Sequence, residues 1–193
     1  MTAAFESVGR IIVGRVAAHQ APTAASIHGE ASAAGRRLLT EAIAAAGEPG
    51  AVVTSHCDTC GGDDHGRPVV ASGRTVVSVA YAAGLVMVAA APAEAASAIG
   101  IDVETDRGGA LDELAALFAP HPAPDVRRWT QLEAALKADG RGIRVSPERV
   151  VIAQRAGRSF AEVPGRDGLI ELFDAPAPLG YRASLAVIPP APG

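Results

Sequence analysis

Ile99-Gly100-Ile101-Asp102-Val103-Glu104, and some 25 residues later Trp129-Thr130-Gln131-Leu132-Glu133-Ala134-Ala135-Leu136-Lys137, are the two pieces from which the fold is read. The first alternates apolar and other residues, the two-residue period of a strand with one buried face. Ile99, Ile101 and Val103 share that face, and Asp102 and Glu104 share the other. At about 3.3 Å per residue the two acidic Cα atoms lie about 7 Å apart. The second piece has the spacing of a helix, with Trp129, Leu132 and Leu136 on a buried stripe. Glu133 and Lys137, four residues apart, are neighbours on another face. Packing this helix on the strand brings together the carboxylates of Asp102, Glu104 and Glu133 with one ammonium beside them. Such a group is costly to hold together without a cation, and carboxylate oxygens with room for water and phosphate suit Mg²⁺. The plainer alternative is a solvated strand face and an ordinary surface pair worth about 0.3–0.5 kcal/mol.

Of the 17 basic residues, Lys137 is the only lysine; the rest are arginine. A lysine in so arginine-biased a chain points to a need for a compact point charge rather than a planar fork.

The motif Gly100-Ile101-Asp102-Val103-Glu104, followed by Trp129-Thr130-x-x-Glu133-Ala134-x-x-Lys137, resembles the paired signature of the 4′-phosphopantetheinyl transferases. That signature reads Gly-hydrophobic-Asp-hydrophobic-Glu, then Trp-(Ser/Thr/Cys)-x-Lys-Glu-(Ala/Ser)-x-x-Lys. Neither half is specific alone; in this order and at this spacing they are. The resemblance spans roughly residues 30 to 155. It implies an α+β fold of two pseudo-symmetric α/β subdomains, here residues 1–97 and 98–193, joined through the small-residue connector Pro92 to Ala98. It implies Mg²⁺-dependent transfer of 4′-phosphopantetheine from coenzyme A to a serine of an acyl, polyketide or peptidyl carrier protein. Asp102, Glu104 and Glu133 would ligate the metal, Glu133 and Lys137 would be catalytic, and Lys137 would also meet the coenzyme's phosphates. Arg67, in Gly66-Arg67-Pro68, matches a Gly-(Lys/Arg)-Pro triplet whose basic residue contacts the region of the 3′-phosphate; a guanidinium suits it through its planar donors. Arg36, on a helix whose counterpart in that family can approach the phosphates, would be a further contact.

Two positions depart from the signature. Where the family has Phe-(Ser/Asn)-x-Ser-His, this chain has Val77-Ser78-Val79-Ala80-Tyr81. Tyr81 can donate one hydrogen bond to the nucleotide but cannot bring a histidine's positive charge. Leu132 stands where many members have a lysine, which leaves Glu133 as the general base. A degenerate member that binds coenzyme A or a carrier domain without turnover is the alternative.

The rest of the chain narrows the class. It has 193 residues, 49% of them hydrophobic, and a net charge of −4. No apolar run has the length of a membrane span and no signal peptide is visible. Two cysteines are no disulfide scaffold, so the cytoplasm is expected. The acidic balance argues against nucleic acid as the main partner. Abundant alanine and only 4% aromatic residues fit a helix-rich α+β protein; a monomer is expected. Strands are expected near 8–17, 51–55, 75–81, 85–90, 149–155, 169–174 and 181–188, and helices over 26–46, 110–119 and from Asp125 to Asp139. Between them lies His56-Cys57-Asp58-Thr59-Cys60-Gly61-Gly62-Asp63-Asp64-His65, which has the ligand types of a zinc site but no second pair farther on. From Asp125 to Arg158, eight basic residues face four acidic ones, a local excess that could steer an acidic carrier protein.

Overall fold

The computed structural model describes residues 12–13, 16–22, 30–57, 60–62 and 66–191. Its first sheet is built from β1 (Ile12–Val13), β2 (Val16–Pro22), β5 (Thr75–Ala82) and β6 (Leu85–Pro92), in the order β1-β2-β6-β5. Between β2 and β5 come the helix α1 (Glu30–Ala45) and a separate hairpin of β3 (Val53–His56) and β4 (Arg67–Val70). The second sheet holds β7 (Ala98–Thr105), β8 (Val151–Arg155), β9 (Arg158–Glu162), β10 (Ile170–Ala175) and β11 (Tyr181–Ile188), in the order β7-β11-β10-β9-β8. Two helices precede β8: the short α2 (Ala115–Phe118) and the longer α3 (Val126–Asp139). All strand pairs are antiparallel.

The two sheets repeat one topology. In each, a strand leads into a long helix, and the chain returns as a hairpin whose last strand pairs with the first: β2, α1, β5–β6 and then β7, α3, β10–β11. The chain is therefore of mixed α+β class. It is not helix-rich, because the alanines serve strands as well as helices. Every residue of β6 is buried, with Val86, Val88 and Ala90 packed toward α1 and Leu85, Met87, Ala89 and Ala91 toward the second sheet. Small side chains let one strand be covered on both faces.

Three apolar clusters follow. Leu38, Leu39, Ala42 and Ile43 of α1 cover the first sheet. Leu132, Ala135 and Leu136 of α3 cover the second, against Ile170, Leu172 and Ala186. Between the sheets, Ile99, Ile101 and Val103 of β7 meet Met87, Ala89 and Leu185.

Several boundaries differ from the sequence reading. The expected strand at 8–17 and the start of the first helix fall partly outside the described residues. Ala45, at the end of α1, is exposed. Residues 110–119 form only a 3₁₀ turn over Asp112–Leu114 and the single turn of α2, with Leu117 exposed. Trp129 is half-buried rather than central, and meets Phe118 edge-on at 6.4 Å. Two strands were not expected: β4, which carries Pro68 at the edge of a two-stranded hairpin where proline is tolerated, and β9, joined to β8 through Ala156-Gly157.

Candidate functional site between β7, α3 and the first sheet

Gly100 decides how the strand and helix meet. A Cβ built there would lie 2.0 Å from the carbonyl oxygen of Ala134 and 2.7 Å from the nitrogen of Ala138. Only glycine allows α3 to press this closely on β7. Thr130 continues the contact with a 2.8 Å hydroxyl hydrogen bond to Ser184 of β11. The helix itself starts on Asp125, whose carboxylate accepts from the backbone N–H of Arg128 at 2.7 Å, and ends on Gly140 in the left-handed conformation. Glu133 and Lys137, each one residue before a packed alanine, are thereby set beside Asp102 and Glu104, the residues of β7 on the face toward α3.

Lys137 does not pair with Glu133 in the manner of a surface i,i+4 couple. Its Nζ donates to Asp102 Oδ1 at 2.6 Å and to the carbonyl of Ile101 at 3.1 Å. The Asp102 side chain is 8% exposed and that of Lys137 31%. Asp102 Oδ2 is buried and, among the described residues, has no hydrogen-bond partner. Burial pushes the Asp102 carboxyl above its ordinary value, with the Lys137 ammonium pulling the other way. Burial also raises Glu133, helped by the charge of Asp102 and opposed by Lys137. Glu104 is raised by burial and by repulsion from Asp102, with a smaller push from Glu133. The three acids thus form one electrostatic unit. Their side chains are not drawn into a single coordination sphere: among the described residues, no three His, Cys, Asp or Glu side chains come together closely enough to hold a metal ion.

A cavity of about 690 Å³ opens beside this unit. Its walls come from both sheets, from the β3–β4 hairpin and from the chain following α3, and its lining includes Arg67, Tyr81, Lys137, Arg141 and Arg144. Three of the residues singled out from sequence, Arg67, Tyr81 and Lys137, therefore share one space. Gly66 sets Arg67 at the rim: with φ +100° and a Cβ that would fall 2.2 Å from the His56 carbonyl oxygen, no other residue fits. Tyr81 stacks over α1, where a Cβ on Gly35 would come within 2.0 Å of its hydroxyl. Its phenol is raised by burial, with the Arg36 guanidinium pulling it back. Arg36 is exposed on α1 and does not line the cavity. Glu104 lies away from it too, in a small crevice with Arg107, Glu113 and Trp129.

Two residues escaped the sequence reading. Ser78, buried in β5, accepts the backbone N–H of Ile101 at 3.1 Å and so joins the edges of the two sheets. Its signal was one hydroxyl inside a run of valines. Asp139, at the end of α3, lines the cavity and receives Arg141 twice, at 2.6 and 3.0 Å, and Arg166 at 3.4 Å. Burial would raise its carboxyl, but the two guanidinium groups more than offset this and hold it low.

Five of the eight basic residues between Asp125 and Arg158 are engaged by carboxylates: Arg127 with Asp174, Lys137 with Asp102, Arg141 with Asp139, Arg155 with Glu162 and Arg158 with Glu171. The positive face is weaker than the linear count suggests. At the cysteine loop, Cys57 is half-buried and Cys60 exposed, and Cys60 Sγ accepts from the Gly62 N–H at 3.4 Å. Asp58, Thr59 and His65 lie outside the described residues. Among the described residues, no helix is long and apolar enough to cross a membrane.

Comparison with protein-family models gives no match, and comparison with curated proteins gives none either.

Proposed function

We propose that the chain is a 4′-phosphopantetheinyl transferase, with the two-fold repeat of sheet topology as that family's paired subdomains. The observation that carries the reading is Lys137, whose ammonium grips a buried aspartate at the wall of a basic, partly apolar cavity between the halves. The cavity suits a ligand with an apolar body and several phosphates: valine side chains of β5 form one wall, and Arg67, Arg141 and Arg144 bring positive charge.

The donor set fits a hard divalent cation by its chemistry. Asp102 has a buried oxygen with no partner, and Glu104 and Glu133 are acids that its charge disturbs. Asp102, Glu104 and Glu133 would hold the ion. When bound, it would neutralise pyrophosphate charge next to the reacting phosphorus.

The remaining roles belong to the chain. Arg67 binds the 3′-phosphate of coenzyme A, and Tyr81 lines another wall of the same cavity. Lys137 binds the pyrophosphate and stabilises charge that develops there. Glu133, its basicity raised by burial, takes the proton of a carrier-protein serine. The serine oxygen bonds to the β-phosphorus, the bridging P–O bond breaks, and 3′,5′-adenosine bisphosphate leaves. Carrier proteins, coenzyme A and Mg²⁺ are thus the partners of this reading, and acyl, polyketide and peptidyl carriers are all candidates.

Incubation with coenzyme A, Mg²⁺ and a panel of apo carrier proteins tests it. One carrier should gain the mass of phosphopantetheine, and the gain should vanish on chelation. No gain on any carrier would remove the reading. A second reading, binding without turnover, is favoured by Tyr81, which takes the place of the family's histidine with its hydroxyl against α1. Calorimetric binding of coenzyme A with no mass gain would support that one.

A further inference from the structure

The ammonium of Lys137 sits where a positive charge is needed most. It satisfies Oδ1 of Asp102 at 2.6 Å and the Ile101 carbonyl at 3.1 Å. Oδ2 of the same carboxylate, buried and without a partner among the described residues, is left over. A half-satisfied buried carboxylate is an expensive arrangement. With Glu104 and Glu133 close enough to feel the Asp102 charge, one ammonium faces three carboxylates. An ion bound to these acids through Oδ2 would share the Asp102 carboxylate with the ammonium held on Oδ1, and the two neighbouring cations would repel each other. Lys137 has somewhere to go, because it is 31% exposed and already lines the cavity.

We propose that Lys137 is a built-in counter-cation: in the metal-free protein its ammonium occupies Asp102, and a divalent cation displaces it into the cavity between the two sheets. This rests on the metal-holding role proposed for Asp102, Glu104 and Glu133, and adds an order of events to it. The lysine becomes available to a phosphate-bearing ligand only once the ion has taken its carboxylate. Divalent cation and phosphate ligand then bind with positive coupling, each favouring the same position of one side chain.

Lys137 is the only lysine of the chain, so ¹³C-lysine labelling yields a single side-chain Cε–Hε resonance. Wild-type protein is titrated with MgCl₂ in the absence of coenzyme, with calorimetry run in parallel. The resonance should move toward the position of a solvated lysine, with the midpoint of the calorimetric isotherm. Lys137→Gln should bind Mn²⁺ about tenfold more tightly than wild type, and Asp102→Asn should lose binding. A lysine resonance that stays in place through the titration overturns the proposal, as does the absence of metal uptake, or a Lys137→Gln protein that binds Mn²⁺ no more tightly. If Lys137→Gln does not fold, the wild-type titration decides. The carrier mass gain is independent of these readouts. A moving resonance without transfer keeps the displacement and removes the transferase reading; transfer with a static resonance does the reverse.

Discussion

Asp102 and Lys137 are unequal partners in one ion pair, and mutation should show the inequality. Asp102 is buried, whereas Lys137 reaches solvent. Asp102→Ala frees an ammonium that can hydrate, so the fold should be retained, as circular dichroism would show, while the proposed Mg²⁺-dependent transfer should be lost. Lys137→Ala strands a buried carboxylate and should cost about 3–5 kcal/mol in chemical denaturation. Equal losses of stability in the two variants would contradict this account of the pair. A second residue-scale expectation concerns Glu48. Hydrogen bonds from Ser72 and Thr75, and the Arg74 guanidinium, hold its carboxyl below its ordinary value of 4.5 despite burial. The native state thus binds this proton less readily than the unfolded chain. Its stabilising contribution is full above pH 4.5 and disappears as pH falls through the lowered native value. The stability gap between wild type and Glu48→Gln should be constant near neutrality and close in acid. A gap that widens in acid would reverse the sign of the argument.

At the scale of elements, the contact of α3 with β7 is the one on which the candidate site depends. Adding a single methyl at Gly100 places it 2.0 Å from the Ala134 carbonyl oxygen. Backbone cannot yield there without moving the helix. Gly100→Ala should therefore destabilise the protein by about 1–3 kcal/mol and should also pull Lys137 from Asp102, seen as a shift of the lone lysine resonance. A variant with wild-type melting would mean that the helix slides at no cost. The strand and the helix were both legible in sequence, because alternation over Ile99 to Glu104 and the 3.6-residue spacing of Leu132 and Leu136 are strong periodic signals. The segment over 110–119 was not. Leu111, Leu114 and Leu117 have helical spacing, yet Ala110 bridges Asp125 and the Leu111 N–H donates to the Pro124 carbonyl, so the segment starts extended and turns helical only from Asp112 to Phe118. β9 was missed for a related reason: its Arg158-Ser159-Phe160 carries little of the apolar alternation that marks a buried strand.

Over the whole molecule, the two sheets meet along β5 and β7 without a continuous ladder. The Ser78 hydroxyl supplies an acceptor for the Ile101 N–H at that edge. Tyr181 adds a second tie, its hydroxyl donating to the Ala83 carbonyl across the two sheets. Ser78→Ala would leave a buried N–H unpaired and should cost about 1–3 kcal/mol, read as a lowered denaturation midpoint with unchanged secondary structure. It should also weaken the coenzyme binding proposed above, since Ser78 lies in the cavity wall. Loss of stability with full binding would separate the joint from the cavity.

Local pattern alone determined the acidic strand, the helix with Glu133 and Lys137, the caps at Asp125 and Gly140, and the glycine before Arg67. Each follows from interactions within a few residues. Only the tertiary structure decided that Lys137 takes Asp102 rather than Glu133, that one oxygen of Asp102 goes unpaired, and that Arg67, Tyr81 and Lys137 line a common cavity. Those outcomes depend on how closely a helix can approach a strand 35 residues away in the chain and on how two sheet edges are set side by side. No periodicity in a linear sequence encodes either distance.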